Sequence, residues 1–133
     1  MGAKFRFPGG LSVAAAIFLS ACATTGGKVS VAELSKPLLG GHLAGDFGFG
    51  LDANARALAA RTEYQALEGA LAGAPVAWKI STSLHGTVTP QQAFAVGSTN
   101  CRRYTHVIFQ NGQSRSSAAT ACRDDESVWR PLS

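Results

Sequence analysis

The stretch Cys101-Arg102-Arg103-Tyr104-Thr105-His106-Val107-Ile108-Phe109-Gln110, then Asn111-Gly112, then Gln113-Ser114-Arg115-Ser116-Ser117-Ala118-Ala119-Thr120-Ala121-Cys122 decides the fold. Two extended runs flank an Asn-Gly pair, the sequence signature of a two-residue type I′ hairpin turn. With that loop Gln110 faces Gln113, so opposed residue numbers sum to 223, and Cys101 and Cys122 also sum to 223. Pair types alternate away from the turn, which makes the cysteines a non-hydrogen-bonded pair with Cα atoms about 4.5 Å apart. That spacing lies inside the disulfide range of about 4.4–6.8 Å. The hairpin therefore predicts a Cys101–Cys122 bond closing a loop of roughly 20 residues, with a contribution of about 3 kcal/mol on the chain-entropy account.

Upstream of the hairpin the pattern is of short strands. Val76, Trp78 and Ile80 alternate with Ala77 and Lys79, as in a strand with one buried face. His85-Gly86 reads as a turn, Thr87-Val88-Thr89 as a strand before Pro90, and Phe94-Ala95-Val96 as another. Downstream, Asp124 to Ser127 turns the chain into Val128-Trp129-Arg130. Before the strands lies one helix. Asp52 suits its N-cap, Ala53 to Ala72 contains one Gly and no Pro, and Gly73-Ala74-Pro75 stops it. The expected fold class is α+β: one helix on a small antiparallel meander sheet.

The N-terminal third reads differently. Lys4 and Arg6 precede Pro8-Gly9-Gly10, and Leu11 to Leu19 is an uncharged, mostly apolar run. It has the length of a signal h-region and is too short to span a bilayer of about 30 Å. Leu19-Ser20-Ala21-Cys22 then supplies small residues for a signal peptidase and a thiol for thioether-linked diacylglycerol. These residues imply a lipoprotein signal over 1–21 and lipid on Cys22, with membrane lipid as the first partner. Two acyl chains, at about 0.8 kcal/mol per buried methylene, anchor a protein stably. Ala23, rather than Asp, favours the outer membrane by the enterobacterial sorting pattern. Residues 22–37 read as a small, polar tether with one turn of helix ended by Pro37. In residues 38–50, small residues recur at four-residue spacing (Gly40, Ala44, Gly48). That segment reads either as a glycine-rich loop or as an interfacial or helix-packing segment. Residues 51–133 hold the helix and sheet.

Charge and motif searches exclude several functions. Removing Lys4 and Arg6 from the twelve Lys/Arg leaves ten against eight Asp/Glu, a balance of about +2 with no basic run, so no nucleic-acid role is expected. His42, His85 and His106 have no metal-ligand spacing to one another or to a cysteine or acid, so neither metal nor cofactor is expected. No Gly-x-Ser-x-Gly, Ser-x-x-Lys or phosphate-loop motif occurs, which points away from an enzyme. Arg102, Arg103, Arg115, Arg123 and Arg130 gather on the last strands, either as a solvated face or as contacts to acidic lipid or polysaccharide. Trp78 and Trp129 are expected in the core.

Several short motifs carry a family resemblance. They are Gly50-Leu51-Asp52, Ala66-Leu67-Glu68, Val76-Ala77-Trp78, Gly86-Thr87-Val88-Thr89-Pro90, Cys101-Arg102-Arg103-Tyr104-Thr105, Thr120-Ala121-Cys122-Arg123 and Trp129-Arg130. In order and spacing the chain resembles the bacterial surface-antigen lipoproteins of the rickettsial 17 kDa type. The resemblance implies an outer-membrane lipoprotein with an envelope-structural or surface role and no catalytic residues. It also implies a glycine-zipper segment before the helix, of which residues 38–50 are a shortened form with Phe49 where Gly is wanted. The competing reading is a membrane-anchored periplasmic binding module, such as an inhibitor of a lytic hydrolase.

Overall fold

The computed structural model describes residues 29–132, together with the isolated positions 2, 9 and 10. The rest of the expected signal over 1–21, Cys22 and the start of the expected tether, 22–28, lie outside the described residues. Two helices, α1 (Val31–Leu39) and α2 (Ala53–Gly69), precede six strands: β1 (Val76–Ser81), β2 (Leu84–Pro90), β3 (Phe94–Val96), β4 (Thr99–Gln110), β5 (Gln113–Arg123) and β6 (Trp129–Pro131). The fold is α+β.

The β4–β5 hairpin organises the sheet. Asn111 and Gly112 take φ of 53° and 78°, the left-handed pair that a type I′ turn requires. Register runs unbroken from Gln110↔Gln113 to Cys101↔Cys122. The two cysteines are bonded, with Cα atoms 4.0 Å apart. All pairings are antiparallel, in the order β1-β2-β4-β5-β6, with β3 beside the start of β4. One turn was misread from sequence. His85 and Gly86 lie inside β2, paired with Lys79 and Trp78. The reason is packing: a Cβ on Gly86 would meet the Trp78 indole Nε1 at 2.5 Å and the Val107 carbonyl oxygen at 2.6 Å. Glycine here makes room for the indole rather than for a turn.

Helix α2 begins where its cap predicts, with the Asp52 carboxylate accepting from the Ala55 N–H at 2.7 Å. Its small-residue face (Ala55, Ala59, Ala66) is buried against the sheet and α1. Tyr104, Ile108 and Val88 close the core from the sheet side, and Trp78 and Trp129 are buried in it.

The segment before α2 is more ordered than the tether and loop readings expect. Helix α1 runs through Pro37 to Leu39, because a proline in the last turn removes only one hydrogen bond and Gly40 N–H closes onto the Pro37 carbonyl. So residues 31–37, read as tether, are part of the fold and pack on α2 and β6. Residues 38–50 form neither a loose loop nor a packing helix. They make two single 3₁₀ turns, His42–Ala44 and Asp46–Gly48, with Leu38 and Leu43 fully buried. Gly48 is required by close approach, since a Cβ there would lie 1.9 Å from the Leu43 carbonyl oxygen. Phe49 is 80% exposed. No helix among the described residues is long and apolar enough to cross a membrane.

The five arginines of the last strands differ in their surroundings. Arg102 is buried and spends its guanidinium on four carbonyls: Gln91 (3.0 Å), Ala66 (3.2 Å), Leu67 (3.0 Å) and Ala70 (3.0 Å). Three of these carbonyls lie at the end of α2, where among the described residues only that of Ala66 also accepts a backbone N–H, from Ala70, so Arg102 acts as that helix's C-terminal cap. Arg115 donates to the carbonyls of Phe47 and Phe49, Arg123 pairs with Glu68, and Arg130 with Asp124. Only Arg103 of the five makes no hydrogen bond through its side chain among the described residues. Of the five arginines read as a solvated face or as anion contacts, Arg102 and Arg115 are thus tied to carbonyls of the fold, while Arg123 and Arg130 form ion pairs at the surface. We expect Arg102→Met to lower unfolding free energy by about 2 kcal/mol, because charge-assisted bonds to buried carbonyls are lost together; urea denaturation measures it.

Candidate functional site

The sheet, α2 and the first 3₁₀ turn converge on one buried polar group. Glu63 lies mid-way along α2 on its covered face and has no solvent exposure. His106, on β4, is equally buried, because residues 102, 104, 106 and 108 share the inward face of the strand. Tyr104 is its neighbour on that face. His42 opens the first 3₁₀ turn and retains 12% side-chain exposure.

The hydrogen bonds form one branched chain centred on Glu63. Trp78 Nε1–H donates to His106 Nε2 at 2.8 Å. His106 Nδ1 meets Glu63 Oε1 at 2.8 Å. Tyr104 donates its hydroxyl to Glu63 Oε2 at 3.0 Å. His42 Nε2 contacts Glu63 Oε1, and His42 Nδ1 lies 3.2 Å from Ser117 Oγ on β5.

Donor chemistry assigns the protons. An indole nitrogen can only donate, so His106 Nε2 must accept. The His106 proton then sits on Nδ1 and points at Glu63, which makes the ring the neutral Nδ1–H tautomer. Glu63 accepts from both rings and from Tyr104. Burial alone would raise its carboxyl, but the hydrogen bonds from His106 and His42 outweigh that and hold it below its ordinary value near 4.5. Burial and the adjacent carboxylate push the Tyr104 phenol far above its usual range, so it remains a donor.

The sign for stability follows. A carboxyl depressed by folding contributes stability that is complete above its unfolded value and is lost as pH falls through the folded one. We expect unfolding free energy to decline below about pH 4.5, and Glu63→Gln to flatten that decline. Chemical denaturation at a series of acid pH values measures both.

His42, Glu63 and His106 are the one group of three metal-type donors that converges among the described residues, their ligand atoms within 4.8 Å of one another. Two histidines and a carboxylate resemble a transition-metal triad. The second shell argues otherwise. A ring binding metal through Nδ1 carries its proton on Nε2, and that proton would face the Trp78 N–H, donor against donor. The residues therefore fit a proton-bonded network and not a metal. Ser117, His42 and Glu63 also have the connectivity of a nucleophile, base and orienting carboxylate. Here the carboxylate oxygen that His42 uses is shared with His106, and Ser117 sits on the covered face of β5. The arrangement ties three elements together.

Sequence spacing hid this group, since positions 42, 63 and 106 come from a turn, a helix and a strand. The visible signal was strand parity, which puts His106 on the same face as Tyr104 and Ile108.

Residues 65–130 match the family described as 17 kDa outer membrane surface antigen. Two proteins of Rickettsia bellii named 17 kDa surface antigen, one from strain RML369-C, are each 36% identical to this chain over 85 residues, covering 62% of this chain and 54% of the relative. The chain thus spans about half the length of these relatives. No solved structure matches. The family match takes in Trp78, Tyr104, His106 and both disulfide cysteines, while His42 and Glu63 precede it. From the end of α2 through the whole sheet, this chain resembles the 17 kDa outer membrane surface antigens.

Proposed function

We propose that this chain is a lipid-anchored outer-membrane protein of surface-antigen type, with a non-enzymatic role in the envelope. The observation that carries the reading is the leader ending in Leu19-Ser20-Ala21-Cys22 ahead of a domain similar to outer membrane surface antigens. The disulfide supports an oxidising compartment. The buried polar group supports a structural rather than a reactive use of the fold, because its ring nitrogens and carboxylate oxygens are all engaged internally. Nine positions, 22–30, separate Cys22 from α1, a reach of at most about 30 Å. On this reading the domain rides close to the lipid surface, and the lipid rather than a membrane-crossing helix is its anchor.

Intact mass spectrometry of the membrane-extracted protein tests this. Wild type should begin at Cys22 and carry diacylglycerol, and Cys22→Ala should leave the membrane fraction or remain uncleaved. An unmodified Cys22, or a mature chain starting elsewhere, overturns the reading.

A further inference from the structure

Among the described residues, β1 and the stretch 113–120 of β5 leave open edges, but only that of β1 is protected. Along β1 the edge carries Lys79, a bulge between Lys79 and Ser81, and Pro75 just before the strand. These features discourage edge-to-edge pairing. Strand β5 has none of them over residues 113–120. Its partner β6 covers only Ala121 to Arg123, and Leu132 N–H then closes onto the Thr120 carbonyl.

The hairpin register shows which backbone groups the open edge presents. Gln113 is a hydrogen-bonded pair with Gln110, so odd residues of β5 bond β4 and even residues point outward. The Thr120 carbonyl bonding Leu132 agrees with that parity. Ser114, Ser116 and Ala118 therefore aim N–H and C=O away from the sheet, and among the described residues no backbone hydrogen bond outside the strand ladders uses them. All three residues are exposed. Beside Ala118 lies a groove of about 380 Å³, lined by Gly40, Gly41, His42, Ala119, Pro131 and Leu132, where β6 would continue if it ran on.

We propose that two copies of this chain pair through this edge, β5 against β5, antiparallel about a two-fold axis at Ser116. The open window is symmetric about that residue, bounded by the hairpin turn on one side and by Leu132 on the other. Pairing sets Ser116 opposite its own copy and Ser114 opposite Ala118 of the partner subunit. All three are outward-pointing pairs, giving about six N–H···O bonds. The side chains brought together are small and uncharged. The one charge in the window, Arg115, lies on the covered face and is bound to the Phe47 and Phe49 carbonyls. In this register the partner's hairpin turn meets the end of β6 at Leu132, beside the groove at Ala118. Such an interface is isologous, as a two-fold dimer requires, and it does not depend on the lipid anchor.

Oxidative cross-linking in cells expressing the full chain tests it. Opposed hydrogen-bonded residues have Cα atoms about 5.5 Å apart, within disulfide reach. Ser116→Cys should yield a disulfide-linked dimer of this chain on non-reducing electrophoresis, and Ser83→Cys, in the β1–β2 turn, should not. Adding Ala118→Pro removes only an outward N–H, which edge strands tolerate, and should cut the dimer about tenfold. Intact mass confirms the Cys101–Cys122 bond, and so the fold, in every variant. Monomer alone at Ser116→Cys, equal dimer at Ser83→Cys, a product containing a different chain, or a dimer insensitive to Ala118→Pro overturns the proposal.

Discussion

Glu63→Ala is expected to cost about 3–5 kcal/mol of unfolding free energy, a large share of the roughly 5–15 kcal/mol that a domain of this kind holds. The loss comes less from the removed contacts than from what they leave behind. Without the carboxylate, the Tyr104 hydroxyl, His106 Nδ1–H and His42 Nε2 face one another across a cavity that no element can fill. Each buried donor without a partner costs about 1–3 kcal/mol. The 3₁₀ turn carrying His42 also loses its tie to α2. Urea denaturation should therefore give Glu63→Ala a midpoint well below wild type, with Glu63→Gln between them, since an amide oxygen still accepts but its NH₂ meets further donors. A Glu63→Ala variant within about 1 kcal/mol of wild type would show that the group does not hold the fold.

The second large effect is at the opposite end of the hairpin from its turn. Replacing both Cys101 and Cys122 with alanine should cost about 3 kcal/mol, as expected for a cross-link closing a loop of this size. The bond joins two strands already in register, so the folded geometry should persist and the change should fall on the unfolded chain. Equilibrium unfolding of the double variant, compared with wild type with and without reductant, measures it. Reductant should lower wild type to the level of the variant and leave the variant unmoved. Equal stabilities of the oxidised wild type and the variant would contradict the entropic account.

The hairpin was legible because two independent rules agreed at Cys101 and Cys122. Asn-Gly sets the loop length, and loop length sets every pair that follows. The cap of α2 was legible for the same local reason, through Asp52. The arginines are close in sequence but differ in strand parity, which proximity alone does not show. Arg102 shares the buried face with Tyr104 and His106, whereas Arg103 does not, and that alternation was visible in the sequence. What local pattern could not supply was the carbonyl set at the end of α2 that makes burying Arg102 favourable. Residues 38–50 failed for a different reason. A repeat of small residues fits a helix face or a loose loop, and only the burial of Leu38 at the end of α1 and of Leu43 in a 3₁₀ turn fixes the path between them. The polar group at Glu63 needed three elements brought together, so spacing carried no trace of it. A glutamate on an alanine-lined helix face and a histidine on a buried strand face were the two halves of a hint that only the tertiary fold joins.

The group around Glu63 is a proton-filled tie between helix, turn and sheet. Nitrogen-15 NMR of the histidine rings in the folded protein at neutral pH tests it most directly. His106 should show a protonated Nδ1 and an unprotonated, hydrogen-bonded Nε2, correlated with the Trp78 indole N–H, and should be unchanged by added zinc. A protonated Nε2, or a zinc-induced shift of the His42 and His106 ring nitrogens, would contradict it.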